Sequence, residues 1–387
     1  MHGKGFPGSG KPFFTMKVPD SDHEERMLAC GESWTLDGQA GMSKEGDSPD
    51  YEYWRRLREH KVRSNRLSWM VMSASADMSV YKDYRERRME YIPAKRIVIK
   101  NKSSEWFGND YNMNIYKGCS HGCIYCDSRS ECYRVDHFDT VRAKEDALRI
   151  IRDDLRGYGT RGVVGTGAMS DPYNPFEKEL CLTRHALELL DAFEYGVTIA
   201  TKSTLLLRDV DVLRGIQEHS PVLCKVTITT ADDALAAKVE PNAASSSERF
   251  EMLARLAEER IPAGILLMPV LPFLEDSEEN VLAIVRRAHE VGAKFIYPAF
   301  GVTLRQNQRI WYFDKLNQLF PKENYVERYM KAYGNHYRCT SRNAEKLWEV
   351  FTKACRQYQI LFDMKDIIHY YKRGYGITQL SLFDLFI

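Results

Sequence analysis

Three cysteines stand within eight residues of one another in the segment Tyr116-Lys117-Gly118-Cys119-Ser120-His121-Gly122-Cys123-Ile124-Tyr125-Cys126-Asp127. The other six (Cys30, Cys132, Cys181, Cys224, Cys339, Cys355) are scattered singly and read as small buried hydrophobes in a reducing compartment. Clustered thiols in such a chain point to a metal site rather than a disulfide framework. Thiolates are soft ligands that suit zinc or iron–sulfur. A structural zinc takes four ligands, usually as two separated pairs, and no second pair is present; His121 could be the fourth only by turning back within the same loop. A cubane cluster accepts three cysteines and leaves one iron open to a small molecule.

The elements that must position this loop are legible as an alternation. Apolar runs at 113–116, 162–165, 197–200, 222–229, 264–268 and 294–297 are separated by amphipathic stretches at 144–155, 184–193, 210–218, 247–259 and 278–291. Strand and helix alternation at this spacing predicts a parallel sheet, and strands apolar throughout predict cover on both faces. The expected fold is α/β, a partial (β/α)6 TIM-type barrel over 89–305, too short for eight units. Residues 306–373 turn helical, with segments at 309–320, 324–333 and 343–359, and 374–387 read as a tail. Residues 1–88 open with Gly, Pro, Ser and Lys and show no sustained period before about Tyr51, which predicts a largely disordered or helical N-terminal arm. That arm is locally basic beyond Tyr51, although the whole chain of 387 residues is balanced at +1, so attraction to nucleic acid must come from local patches. No apolar run approaches the roughly 20 residues that span a bilayer, and the first residues lack a secretory stretch, so a cytoplasmic location and no membrane partner are expected.

With the cysteine loop placed after the first strand, the sequence resembles the radical S-adenosylmethionine superfamily, whose signature is three cysteines separated by three and then two residues, with an aromatic before the third; Tyr125 is that aromatic. The resemblance implies a [4Fe–4S] cluster on Cys119, Cys123 and Cys126, S-adenosyl-L-methionine chelating its open iron, a deoxyadenosyl radical as oxidant, and an electron donor such as flavodoxin or ferredoxin. From Ile92 to Arg305 the chain is similar to the spore photoproduct lyase branch, a DNA-repair lineage, which makes a nucleic-acid base or lesion the implied substrate. On that likeness Tyr125 lies near the adenine, Ser170 of Gly167-Ala168-Met169-Ser170-Asp171 meets the amino-acid end of the cofactor, Lys202 of Thr201-Lys202-Ser203 pairs with its carboxylate, and Thr227 or Thr229 meets the ribose. Val239-Glu240-Pro241 and Glu248-Arg249 match the branch's Glu-Pro and Glu-Arg pairs, and residues 264–269 its apolar adenine shelf.

Two positions depart from the branch. The cysteine that returns a hydrogen atom in the lyase is Ala168 here, and the tyrosine after the third cluster cysteine is Asp127. Both fall on chemistry after cofactor cleavage, so reversal of the lyase's own lesion by the lyase's route is not expected, and the hydrogen donor is left unassigned; Cys132 and Cys181 are the nearest substitutes in sequence. In the tail, Gln379-Leu380-Ser381-Leu382-Phe383 resembles the pentapeptide that docks bacterial polymerases and repair proteins on the sliding clamp, making that clamp an expected partner.

Overall fold

The computed structural model describes residues 89–375. The expected arm over 1–88 and the clamp-like pentapeptide lie outside the described residues. In chain order the first half runs β1 (Glu90–Ile92), β2 (Val98–Lys100), β3 (Tyr111–Met113), β4 (Tyr116–Lys117), the cysteine loop, β5 (Arg142–Lys144), α1 (Ala147–Gly157), β6 (Val163–Thr166), α2 (Glu177–Leu180), α3 (Leu182–Ala192), β7 (Gly196–Thr201) and α4 (Val210–Gln217). The second half runs β8 (Val222–Thr227), α5 (Asp233–Val239), α6 (Ser246–Glu258), β9 (Ala263–Leu267), α7 (Glu278–Glu290), β10 (Ile296–Pro298), β11 (Gly301–Thr303), α8 (Gln306–Leu319), α9 (Tyr325–Tyr333), β12 (Arg338–Thr340), α10 (Ala344–Gln357) and α11 (Met364–Lys372).

The main sheet has the order β10-β9-β8-β7-β6-β3-β2, and its six strands from β10 to β3 are parallel, as the apolar runs predict. Every residue of β8 and β9 is buried, which is what cover on both faces requires. Helices supply the outer cover: α3 buries Ala186, Leu187, Leu189 and Leu190 along one stripe. Serine caps start two of them, Ser245 in a reciprocal capping box with Glu248 and Ser277 accepting from the Asn280 N–H. The sheet is open, with β2 and β10 at its edges, so the barrel is partial.

Three short pieces differ from the sequence reading. The first run, 113–116, is split: β3 ends at Met113, and Tyr116–Lys117 leaves the barrel to pair antiparallel with β5 in a separate sheet of order β1-β5-β4. The barrel also gains an antiparallel edge strand, β2, in register Val98↔Met113. Within the C-terminal helices, β12 returns to pair with β11, with Val302 opposite Cys339. Strands of two or three residues are too short to show a period, and their partners are distant in sequence.

The two mouths of the barrel differ. At the strands' N-terminal ends Phe107, Leu223 and Phe295 pack with Ile367 and Tyr371 of α11, and the Tyr371 hydroxyl donates to the Phe107 carbonyl at 2.6 Å, closing that mouth. At the C-terminal ends Cys123, Ile124 and Tyr125 pack with Val239, Leu271, Leu304, Tyr312 and Leu316. The cysteine loop is therefore a lid element built onto the strand ends, where parallel barrels carry their chemistry.

Candidate functional site

The loop's path is set by two glycines in the left-handed region. Gly118 has φ of 83°, and a Cβ there would lie 2.2 Å from the Thr140 carbonyl oxygen, so no other residue fits. Gly122 turns at φ of 68° against Pro241. Backbone bonds then pin the loop from both sides: Cys119 N–H to Phe138 O at 2.8 Å, Ile124 N–H to Val239 O at 3.0 Å and Asn242 N–H to His121 O at 3.1 Å. The Asn242 side chain donates to Ser120 O at 2.8 Å, and from α8 the wholly buried Gln308 donates to Tyr125 O at 3.2 Å. These bonds fix the loop's backbone from three sides of the barrel mouth.

Beneath it three charged groups gather, from the segments after β6, β7 and α5. After β6, Asp171 accepts from Thr201 Oγ1 at 2.7 Å, Lys202 N–H at 2.8 Å and Tyr173 N–H at 2.9 Å. It lies 3.6 Å from His121 Nδ1, which is itself 3.6 Å from Cys119 Sγ. Burial works against the Cys119 thiolate, but the His121 hydrogen bond and charge outweigh it and hold the thiol below its ordinary value. After β7, Lys202 Nζ sits 3.9 Å from Glu240 Oε1 and 5.8 Å from the Tyr125 ring centre. Burial opposes its ammonium, yet Cys123 and Glu240 keep its pKa raised, so it is a fixed cation beside the thiols. Glu240, after α5, accepts a hydrogen bond from the Tyr125 hydroxyl and pairs with Arg249 Nη2 at 2.6 Å. Burial would raise the Glu240 carboxyl, but Arg249 and then Lys202 outweigh it and hold it ionised.

The donor set fits an iron–sulfur cubane. Cys123 and Cys126 are pushed up by burial, Cys126 to about 11, so they give up their protons only when a cation arrives to replace them. Among the described residues no three His, Cys, Asp or Glu side chains converge closely enough to hold a single metal ion, whereas a cubane presents a separate iron to each thiolate and asks for wider spacing. Lys202 adds a compact cation that a carboxylate-bearing cofactor could meet.

The hydroxyls singled out in the sequence have defined partners. Ser170 donates to the Gly118 carbonyl and so braces the loop. Thr229 donates to Glu275 Oε1 at 2.8 Å, and the Thr227 carbonyl accepts from Arg249 Nη1 at 2.6 Å while its side chain shares the inner face of β8. Tyr125 is buried, with the Lys202 ammonium over its ring and its hydroxyl donating to Glu240. Ala168 is exposed, and Asp127 is held by Arg305 Nη2 at 2.6 Å and by the Tyr133 hydroxyl at 2.8 Å. Cys132 is in a short turn after the loop, and Cys181, at the N-cap of α3, accepts from Arg208, which also reaches Glu177. Sequence reasoning missed Gln308, Asn242 and Glu275, whose roles depend on partners far along the chain. It also passed over Lys225, although a lysine in an otherwise apolar run was visible.

The comparisons agree with this geometry. Residues 113–285 match the Radical SAM superfamily model. An uncharacterized protein of Mycobacterium bovis is 30% identical over 230 residues, covering 58% of this chain and 67% of the relative. Another from Methanocaldococcus jannaschii is 31% identical over 174 residues, covering 44% and 64%. Among solved structures, spore photoproduct lyase complexed with dinucleoside spore photoproduct aligns with TM-score 0.52 at 13% identity, over 80% of this chain and 92% of that one. A double mutant of that lyase with bound AdoMet and the same dinucleoside gives 0.53 at 13%, over 81% and 96%. At such identity these structures speak for the fold. Cysteine spacing, barrel and family match converge: the chain belongs to the radical SAM superfamily, whose cofactors are a [4Fe–4S] cluster and S-adenosyl-L-methionine.

Proposed function

We propose that this enzyme acts on a nucleic-acid base or lesion, with DNA as the substrate polymer. When bound, the cluster and S-adenosylmethionine supply a 5′-deoxyadenosyl radical that removes a hydrogen atom from the substrate. The observation that carries the reading is the extent of the likeness to spore photoproduct lyase, which runs through four-fifths of this chain and nearly all of the lyase. In this reading Cys119, Cys123 and Cys126 ligate the cluster, Lys202 meets the cofactor carboxylate, Tyr125 borders the adenine, and Ser170, Thr227 and Thr229 complete the amino-acid and ribose contacts. Ser170 and Thr229 do so through their remaining lone pairs, since their protons are committed to Gly118 and Glu275.

The lyase's hydrogen return is not available here. Alanine at 168 has no labile hydrogen, and Asp127, ion-paired with Arg305, offers a carboxylate where the lyase offers a phenol. The lesion or base therefore differs from spore photoproduct. A flavodoxin or ferredoxin provides the electron, and the pentapeptide from Gln379 to Phe383 recruits the enzyme to a sliding clamp in the cytoplasm. Among the described residues no helix is long and apolar enough to cross a membrane.

The test is anaerobic reconstitution with iron, sulfide and dithionite, followed by assay of 5′-deoxyadenosine with and without single-stranded, duplex and ultraviolet-irradiated DNA. Stimulation by one of the DNAs is the expected result. Turnover indifferent to all of them would remove nucleic acid as the substrate.

A further inference from the structure

Lys225 lies in the middle of β8, 3% exposed, and no carboxylate among the described residues is within ion-pair distance of it. Lysines are almost never buried without such a partner, because the ammonium loses its hydration. Its Nζ donates to Thr198 Oγ1 at 2.8 Å, and the Thr198 hydroxyl donates in turn to Asn109 Oδ1 at 2.8 Å. The Phe107 ring centre is 4.7 Å away. One hydrogen bond leaves most of an amine's donor capacity unused. Burial pushes the Lys225 pKa down to about 7; the adjacent Cys224 thiol is the titratable group that acts on it, while Thr198, Asn109 and Phe107 do not titrate.

Strand register shows where the amine points. Lys225 pairs with Ala200 on β7 and Gly264 on β9, so it shares the inner barrel face with both. Lys202 and Thr227 follow two residues later on the same face, about 7 Å nearer the cluster loop. Solvent reaches this inner face at Gly167, Ala200, Lys202 and Met268, which are all partly exposed although they line the barrel wall. The lumen therefore descends from the cofactor level to that of Lys225. Leu266 and Tyr297 line the wall at the level of Thr227, and the floor around the amine is apolar and aromatic, made by Leu223 and Phe107.

We propose that Lys225 anchors the substrate in the barrel lumen by donating a hydrogen bond to a ring carbonyl oxygen of the base on which the enzyme acts; this rests on the nucleic-acid reading above. A phosphate or carboxylate would bring at least one full negative charge to a dry floor with a single amine to meet it. A ring carbonyl is neutral, needs one donor, and brings a flat apolar body that suits the aromatic floor. Lysine's flexible stem lets the same amine release Thr198 and turn to the substrate.

The test is carbon NMR of the full-length protein labelled at lysine Cε, with the Lys225 resonance assigned by its loss in Lys225→Met and Lys225→Gln. Three probes are added separately: thymidine, 2-pyridone and inorganic phosphate. The expected result is a shift of the Lys225 resonance with thymidine and with 2-pyridone, none with phosphate, and roughly tenfold weaker thymidine binding in both variants, the size of one hydrogen bond to an amine. A shift with 2-pyridone alone keeps the carbonyl anchor and overturns the nucleic-acid reading. A shift with phosphate alone, or with no probe while single-stranded DNA still binds by fluorescence anisotropy, overturns the anchor and leaves that reading standing. The spectra are taken on the wild-type chain, so a variant that folds poorly does not remove the test.

Discussion

Glu240→Gln tests the charge arrangement that supports the cysteine loop. The side chain is 2% exposed and faces two cations, Arg249 at 2.6 Å and Lys202 at 3.9 Å, and it accepts the Tyr125 hydroxyl. Glutamine is close to isosteric and can still accept from Tyr125, so the change removes charge rather than volume. Arg249 has no exposed surface and would be left as a buried cation without its carboxylate partner. Breaking one side of a buried pair costs about 3–5 kcal/mol, a large part of the roughly 5–15 kcal/mol that holds a domain together. At roughly 2 °C per kcal/mol for a domain of this size, the melting temperature should fall by about 6–10 °C. Because Tyr125 precedes Cys126, iron uptake on anaerobic reconstitution should fall as well. The assay is a thermal melt of the apoprotein together with iron and sulfide counts, for Glu240→Gln, Arg249→Met and the double variant. The double variant should recover much of the loss, since no unpaired charge remains at that pair. A melt unchanged within about 1 °C in Glu240→Gln, or strictly additive losses in the double variant, would refute the reasoning.

Replacing Cys119, Cys123 or Cys126 with alanine should each abolish stable iron binding, whereas Cys132→Ala and Cys181→Ala should bind iron like the wild type; absorbance and iron counts decide it. Glu275, pushed up to about 8 from 4.5 by burial, holds its proton more tightly when folded than unfolded. Its contribution to stability is therefore full below 4.5 and is lost as the pH rises through about 8. Glu275→Gln should consequently flatten the melting temperature between pH 5 and pH 8 in comparison with the wild type, and an unchanged pH profile would count against it. A peptide covering 378–387 should bind a purified bacterial sliding clamp at about micromolar Kd, and the Leu382→Ala/Phe383→Ala peptide should not, by fluorescence titration.

What the sequence shows follows from range. The cysteine trio, its two glycines and Tyr125 lie within a dozen residues, so the chemistry of the site can be read from spacing. The six barrel strands are visible because parallel strands are buried on both faces and stay apolar, and the helices because one stripe must face them. What could not be read is the identity of partners. Ser170 looks like a cofactor hydroxyl from its motif, yet its proton goes to Gly118, far earlier in the chain. Tyr116 ends an apolar run, yet belongs to a second sheet because β5 lies beside it. Gln308 is one polar residue of an ordinary helix until α8 is laid against the loop, where it bonds both Tyr125 O and Thr303 O. Glu275 and Lys225 carry unusual ionisation only because of the walls around them.

The most direct test of the nucleic-acid assignment is isotope transfer. Reconstituted, reduced enzyme is incubated anaerobically with S-adenosylmethionine and oligonucleotides bearing perdeuterated bases, unmodified or ultraviolet-irradiated, and the 5′-deoxyadenosine is weighed by mass spectrometry. The expected result is 5′-deoxyadenosine one mass unit heavier, formed faster with the deuterated DNA present than without it. Product that forms at the same rate and without deuterium, whatever DNA is supplied, would contradict the assignment.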